Sequence, residues 1–584
     1  MNLASKRFII AFTITLLTLL AGIIFFLTAP PAEAQEGPVQ TDRPFQLPFA
    51  EPAGPATWLM AQPYGSTTGA YRQRFTTSGA SGGIHFGVDL SAPCGTEIVA
   101  LADGIVFAVD GPFGSPPHNL MIDHPQLGYA SMYGHLLEAP KLQPGEVVKQ
   151  GQVIARSGDT GETCYSRPHL HLEIRDLAHV RKFNPQMLID ANWDNLSLTG
   201  SSTRNFARDL DEPRRWQSLY DQPEVQTGGP IVNDFANPWP LDWEKSLPLP
   251  GRQLTLVARL QTAAPALQTT TVGRQLTSGD CCTNPTWSPD STQVRFIDRP
   301  AANMPVGLWG IDVTQPETGA ALLTEWLGLY SLDETLAAYP DPVSGVTIVE
   351  RLADGRQWQI DTQGERPTFS PDSRQLMWTI SDEDAPADTR LQTVWVADVD
   401  GRNARLILSA RRINVAGWLT DETLLLTRRV AGSSDETLLT LSLETVRQTE
   451  LLTLPRPRGL TRSPDGRYLV YYVSFEPDAG KNGLWLLDLE AATPLPQKLP
   501  FFGAYRWRDN ERLVYVPLEP QAAEHNFYEY NTRTGQTRPL FPTGTGLTIA
   551  NNDWRVSPDG RKIVLVAANG VALDGIWLLD LDQD

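Results

Sequence analysis

Between positions 97 and 156 the chain runs through short stretches dense in Val, Ile, Leu and Phe, cut by Gly and Pro. Positions 97–100, 104–109, 120–123, 147–148 and 152–156 read as strands. Apolar runs of this length, bounded by turn residues, predict an antiparallel all-β domain. The C-terminal part repeats itself. Ser-Pro-Asp occurs at Ser288, Ser370, Ser463 and Ser557, at separations of 82, 93 and 94 residues, each time followed by Ser or Gly and a β-rich run. These intervals are about twice a propeller blade of roughly 40–45 residues. Weaker copies fill the gaps: Gly417-Trp418-Leu419-Thr420-Asp421, Tyr505-Arg506-Trp507-Arg508-Asp509 and the poorer Ala338-Tyr339-Pro340-Asp341. A second strand recurs as Leu308-Trp309-Gly310-Ile311-Asp312, Val394-Trp395-Val396-Ala397-Asp398, Leu484-Trp485-Leu486-Leu487-Asp488 and Ile576-Trp577-Leu578-Leu579-Asp580. Ser-Pro-Asp-Gly makes a tight inter-strand turn, with Pro fixing φ and Gly accepting φ > 0. The pattern predicts a six- or seven-bladed propeller. Its last blade ends at a third strand near Asp580, and Gly273-Arg274-Gln275-Leu276-Thr277 supplies the missing outer strand, which removes a free edge.

At 584 residues the chain is too long for one ordinary core. We expect a signal peptide or membrane anchor at 1–34, a spacer at 35–53, the first β-domain at 54–198, a linker at 199–250 and the propeller at 251–584. Lys6 and Arg7 precede an uncharged apolar run from Phe8 to about Ala29, then Ala32-Glu33-Ala34, a small-residue cleavage pattern. The run is also long enough to span a bilayer. Cleaved or retained, it sends the remainder outside the cytoplasm, secreted or anchored by that segment. The linker is polar and carries Gly228-Gly229-Pro230 and Asn237-Pro238-Trp239-Pro240. Charged residues make up 20% of the chain and the net charge is −19, which argues against a nucleic-acid partner, since phosphate binding needs clustered Lys and Arg.

Only 8 histidines are present, and four fall in three short segments: His85-Phe86-Gly87-Val88-Asp89, Tyr133-Gly134-His135-Leu136 and Pro168-His169-Leu170-His171-Leu172-Glu173-Ile174. A catalytic zinc takes three protein ligands, usually His nitrogen or carboxylate oxygen, and keeps a fourth position for water. In a strand His169 and His171 share a face, so one can bind metal while the other moves protons. Spacing does not say which. His85 and Asp89 would lie about 13 Å apart in a continuous strand; Gly87 lets the chain bend so that both reach one ion. His135 is a candidate second proton-transfer group. The remaining histidines, His118, His124, His179 and His525, read as ordinary loop or surface residues.

From about Trp58 to Arg175 the chain resembles the LytM-like, lysostaphin-type zinc endopeptidases. The landmarks come in the family's order: His-Phe-Gly-Val-Asp-Leu-Ser-Ala-Pro from 85 to 93, Ala102-Asp103-Gly104, Tyr133-Gly134-His135-Leu136, Val148-Lys149-Gln150-Gly151-Gln152, and 168–174. The resemblance implies that His85, Asp89 and His171 hold Zn2+, with His135 and His169 as catalytic histidines that activate water and stabilise the oxyanion. The chain departs from the family in Glu162-Thr163-Cys164-Tyr165-Ser166-Arg167, a longer and bulkier run that should border the substrate groove. Cys94 follows the first motif and Cys164 precedes the third. Because the motifs converge on one ion, the two cysteines are expected to pair. Cys281 and Cys282 are expected to be two thiols. The repeats resemble TolB-like β-propellers.

The resemblance implies an exported zinc metalloendopeptidase acting on peptidoglycan cross-links or stem peptides. The propeller would bind an envelope protein or glycan, and the membrane would be touched only through the N-terminal segment. Two alternatives remain: a zinc-binding but non-catalytic envelope scaffold, and a protease for secreted proteins.

Overall fold

Short strands separated by Gly- and Pro-rich turns leave little room for helix, and the fold is almost wholly β. The computed structural model describes residues 43–581, apart from 68–82, 161–163, 165–166, 202–205, 207–212, 215, 227–259, 263–267, 342–343, 383–384, 386–388 and the single positions 271, 278, 280, 283, 326 and 492. The N-terminal apolar run, the stretches 228–230 and 237–240 and most of the unusual loop before Pro168 lie outside the described residues. Among the described residues no helix is long and apolar enough to cross a membrane.

The first part is built on β1 (Leu59–Gln62), β2 (Val88–Ser91), β3 (Glu97–Val99), β4 (Gly104–Val109), β5 (His118–His124), β6 (Tyr129–Leu136), β7 (Val147–Val148), β8 (Val153–Arg156), β9 (His169–Asp176), β10 (Arg181–Phe183) and β11 (Val225–Gln226). The main sheet runs β1-β2-β9-β6-β5-β4-β7, with β10 and β11 beside β9 and a separate β3-β8 pair. All of these pairings are antiparallel. Alternation does the sorting: Val88, Leu90, Leu170, Leu172 and Ile174 turn into one apolar core, together with Leu120, Ile122 and Tyr133. The opposite face of β2 and β9 is thereby left to Asp89, His169 and His171. Phe45 and Phe49, from the expected spacer, and Leu219, from the expected linker, join the same core. Two short helices follow, α1 (Pro185–Leu188) and α2 (Trp193–Leu196), capped by Asn184 and Asn192.

Among the described residues the C-terminal part forms seven four-stranded sheets, numbered here as blades 1–7. The ring closes as expected: Gly273–Gln275 is the outer strand of blade 7, with Gly273 opposite Leu579 and Gln275 opposite Trp577. Each Ser-Pro-Asp sits in the turn from first to second strand. There the Ser hydroxyl donates to the Asp carboxylate, at 2.6 Å for Ser288 and Asp290 and 2.7 Å for Ser370 and Asp372. One weak repeat is misplaced. In blade 2 this turn is Ser331-Leu332-Asp333, with the same 2.7 Å hydroxyl–carboxylate bond. Ala338-Tyr339-Pro340-Asp341 instead ends the second strand of that blade. The turn needs the Ser and Asp side chains more than the Pro between them.

Because strands alternate in direction, a blade's second-to-third-strand loop and its link to the next blade lie on one face of the ring. The Ser-Pro-Asp turns lie on the other. The first part docks on the loop-and-link face. Asn195 Nδ2 donates to Glu519, Pro520 and Ala522 O (3.1, 3.2 and 2.8 Å) in the second-to-third loop of blade 6. Asn551 N donates to Asp194 Oδ1 at 2.9 Å, where the first strand of blade 7 begins. Phe475 N donates to Pro55 O at 2.8 Å from the corresponding loop of blade 5, and Tyr505 N donates to Gly200 O at 3.2 Å. Arg214 grips Asp298, at the end of the second strand of blade 1, through two bonds of 2.8 and 2.9 Å.

Two histidines expected at the surface are buried. His124 bonds Asp103 O and Ser131 Oγ, both at 2.8 Å. His525 lies at the junction of the two parts, against Asn195. A periodicity argument cannot see either burial, because the neighbours are distant in sequence. Of the other two, His118 pairs with Asp110 (2.9 Å) and His179 with Asp123 (2.7 Å). Cys94 and Cys164 are bonded as expected, with Cα atoms 5.5 Å apart. Cys281 and Cys282 are bonded to each other rather than standing as two thiols.

Candidate metal centre

Cross-strand pairing assembles the centre. Asp89 on β2 stands opposite His171 on β9, and Ser91 opposite His169. On the other side of β9, Gly134 of β6 pairs with His171, which brings His135 alongside. Directly opposed residues on one sheet face have Cβ atoms only about 5 Å apart. Gly87 makes the approach of His85 possible, though its φ is not positive: a Cβ there would meet Leu172 O at 2.4 Å and His171 Cε1 at 3.0 Å. Gly87 is needed for closeness. Gly134 serves similarly, since its Cβ would meet Ser115 Cβ at 2.3 Å. His135 adopts φ 56°, a left-handed backbone that turns its side chain out of the regular pleat.

Three atoms converge. His85 Nε2 lies 3.1 Å from Asp89 Oδ1 and 3.2 Å from His171 Nδ1, and His171 Nδ1 lies 2.8 Å from Asp89 Oδ1. Ligand atoms at about 2.0–2.1 Å around a tetrahedral ion would sit roughly 3.3 Å apart. The hydrogen bonds on the far side of each ring fix the tautomers. His85 Nδ1–H donates to Pro63 O at 2.9 Å, and His171 Nε2–H to Glu173 Oε1 at 3.2 Å. In the neutral form with these tautomers each ring would offer a lone pair beside the Asp89 carboxylate, so a proton or a metal ion must sit among them, and the set His₂Asp is one zinc accepts.

The electrostatics agree. Burial opposes charge on Asp89, but His85, His169 and the hydrogen bond from His171 outweigh it and hold the carboxyl well below its ordinary range. Burial likewise opposes a charged His171. Its bonds to Asp89 and Glu173 prevail and raise its proton affinity to about 10. A point that holds a proton so firmly favours positive charge in general.

His169 and His135 flank this cluster. His169 Nε2 is 3.8 Å from Asp89 Oδ1, and its Nδ1–H donates to Arg167 O at 2.6 Å. His135 Nδ1–H donates to Pro116 O at 2.5 Å, and the rings of His135 and His169 are 4.7 Å apart. Each is oriented by a backbone carbonyl that leaves Nε2 available. Burial, then the charges of His169 and His171, press His135 down to about 4.

Glu173 and Arg175 carry roles the motif reading did not assign. Glu173 is buried and salt-bridged to Arg175 at 2.7 Å, and burial notwithstanding, His171 and Arg175 hold it at about 2. It stays ionised and orients His171, as outer partners of metal-binding histidines do. The signal was present: His169, His171, Glu173 and Arg175 continue one period-2 face.

Residues 83–185 match Peptidase family M23. Over 131 residues the chain is 32% identical to an uncharacterized metalloprotease of Haemophilus influenzae, a match covering 22% of this chain and 26% of that protein. It is 35% identical over 91 residues to the peptidoglycan DD-endopeptidase ShyB of Vibrio cholerae, covering 15% of this chain and 20% of that protein. The chain therefore spans about a quarter or less of these relatives. Among solved structures, an oligogalacturonate lyase in complex with manganese aligns over 55% of this chain and 96% of its own, with 15% identity and a TM-score of 0.42. Residues 83–185 are a peptidase family M23 domain of the LytM and lysostaphin type, joined in one chain to a propeller of seven four-stranded blades among the described residues.

Proposed function

We propose that this chain is an exported zinc metalloendopeptidase that hydrolyses peptide bonds in peptidoglycan cross-links or stem peptides. His85, Asp89 and His171 hold the zinc. When bound, the metal supplies a Lewis acid that lowers the pKa of water and polarises a carbonyl. His169, anchored through Nδ1, presents Nε2 as the base that takes a proton from the attacking water. A histidine held at about 4, as His135 is, releases a proton readily once charged. That suits delivery to the leaving amine, and its Nε2–H in the charged form is a donor for the oxyanion. The division into a peptidase at 54–198, a linker at 199–250 and a propeller at 251–584 belongs to the same reading. So does the role of the propeller as a module that binds an envelope protein or glycan. The Cys94–Cys164 bond supports an oxidising, extracytoplasmic location, secreted or anchored by the N-terminal segment. The peptidoglycan substrate is supported by the relative named for it.

The observation that carries the reading is the convergence of three lone-pair donors flanked by two carbonyl-anchored imidazoles. The test uses purified protein on wall peptides, with metal analysis and identification of the new termini. His135→Ala and His169→Ala should keep the metal and lose roughly 10²–10⁴-fold in rate. Asp89→Ala and His171→Ala should lose the metal. Wild-type metal content without any cleavage would favour the non-catalytic scaffold. Loss of metal from His169→Ala would reverse the roles of His169 and His171.

A further inference from the structure

Residues 111–117, between β4 and β5, belong to no strand. Yet this loop supplies both carbonyls that hold His135. Ser115 O accepts from His135 N at 3.0 Å, and Pro116 O accepts from His135 Nδ1 at 2.5 Å. The loop therefore sets where the imidazole stands beside the metal centre. A segment without ladder bonds depends on side chains to satisfy its backbone and keep its shape. Two side chains hold the middle of this one. Asn119 Nδ2, near the start of β5, donates to Gly111 O at 3.0 Å and to Gly114 O at 3.1 Å. Arg175, near the end of β9, donates from Nη2 to Phe113 O at 3.1 Å, and its guanidinium carbon lies 5.6 Å from the centre of the Phe113 ring.

The same guanidinium reaches the metal side. Arg175 is buried, and its Nε donates to Glu173 Oε2 at 2.7 Å. The other oxygen of that carboxylate accepts from His171 Nε2 at 3.2 Å. A third bond, from Nη1 to His179 O at 3.4 Å, engages the last nitrogen of the fork. One rigid, planar group thus joins two branches: through Glu173 to a metal-ligand histidine, and through Phe113 to the loop that anchors His135. Neutralising Glu173 would need only the first bond. The directed bond to Phe113 O is a second contact, and a fork that holds several acceptors at fixed angles is what arginine offers and lysine does not. The path from Phe113 to Pro116 is short and tight. Gly114 (φ 91°) and Ser115 (φ 55°) both lie in the left-handed region, and Ser115 packs where a Cβ on Gly134 would stand.

We propose that Arg175 is a positioning residue for hydrolysis: by clamping the loop 111–117 to the Glu173–His171 pair, it fixes the His135 ring relative to the metal ligands. The proposal rests on the metallopeptidase reading and adds a residue to that same site. Arg175 touches neither metal nor substrate and acts only through His135. A misplacement of about 1 Å at a reacting group costs on the order of 10²-fold in rate, so a loosened clamp should be visible in turnover.

The experiment compares the full chain with Arg175→Lys, which keeps a positive charge beside Glu173 but lacks the fork that spans to Phe113 O. Metal content should stay at the wild-type level, kcat on wall peptides should fall about tenfold or more, and KM should change less than kcat. In a double-mutant cycle, adding Arg175→Lys to His135→Ala should cost nothing further, because the residue acts through that ring. Asn119→Ala frees the same loop from its other side without touching Glu173, and should lower kcat at full metal content too. A readout independent of turnover is the imidazole N–H signal of His135 in protein labelled with ¹⁵N at histidine, assigned by its loss in His135→Ala. Its exchange with solvent should quicken in Arg175→Lys and in Asn119→Ala. Wild-type kcat in Arg175→Lys, loss of its metal, an equal penalty with and without His135, or an unchanged kcat in Asn119→Ala each overturns the proposal. The two ideas fail separately: a His135 signal that responds as expected in a chain that cleaves nothing sinks the peptidase reading alone, whereas cleavage with an unmoved signal sinks the positioning role alone.

Discussion

His525 should make the junction between peptidase and propeller acid-sensitive. The residue is 3% exposed, and both ring nitrogens are committed: Nε2–H donates to Asn195 Oδ1 at 2.6 Å, and Nδ1 accepts from Ile549 N at 2.9 Å. No partner in that arrangement welcomes a second proton, and burial holds the imidazole down to about 3. The unfolded chain titrates near 6.5, so below that pH the unfolded state binds the proton that the folded state refuses. The stability supplied by the neutral ring is complete above pH 6.5 and declines as the pH falls toward 3. Integrating between pH 7 and pH 5 gives a loss of ~2 kcal/mol. Glutamine at this position retains one donor and one acceptor but does not titrate. Urea denaturation of wild type and His525→Gln at both pH values isolates the effect, because every carboxylate and the metal centre titrate in both proteins. The wild type should lose ~2 kcal/mol more than the variant on acidification. Equal losses would show that His525 is not held neutral at the junction.

Three further outcomes are expected. Glu173→Gln removes the carboxylate that orients His171 and leaves Arg175 without its buried partner, so metal affinity should fall about 10–100-fold in a chelator competition; unchanged affinity would deny Glu173 that role. Gly273→Val would drive a Cβ to 2.4 Å from Leu579 Cδ2 and 2.6 Å from Leu578 O, prising open the closing strand. It should lower the melting temperature, as should starting the propeller at Asp280 rather than Gly251, and equal melting would remove the support for closure there. Cys94→Ser opens a bridge between residues 70 apart and should cost about 4 kcal/mol in the loop-entropy account, read by denaturation with and without reductant.

What was legible from sequence was what depends on near neighbours. Period-2 alternation put His169 and His171 on one face, and cross-strand register then set Asp89 against His171. Which nitrogen each histidine offers was not legible, since the carbonyls of Pro63, Pro116 and Arg167 decide it and carbonyls leave no mark on residue identity. His124 and His525 were misplaced for a related reason: a buried imidazole is stable only with partners such as Ser131 or Asn195, and only the folded chain brings these together. Glu173 could have been found by carrying the alternation two residues further. The propeller was readable because its turns are made locally.

That local origin also separates the two faces of the ring. On one face the same device recurs: a Ser hydroxyl donates to the Asp two residues on and accepts from the backbone N–H five residues on, at 2.9 Å for Gln293, Gln375, Tyr468 and Lys562. Such a turn satisfies its own polar groups and asks nothing of other domains, so it can repeat with little change from blade to blade. On the other face the second-to-third loops have different lengths and sequences, and they bond outward: to Pro55, to Asn195 and, through Asp298, to Arg214. The irregular face is therefore the one that docks the peptidase domain. A propeller built only to tether the enzyme would need no particular orientation toward the metal centre. One docked through directed bonds from its irregular loops to Pro55, Asn195 and Arg214 holds the peptidase domain in a single orientation.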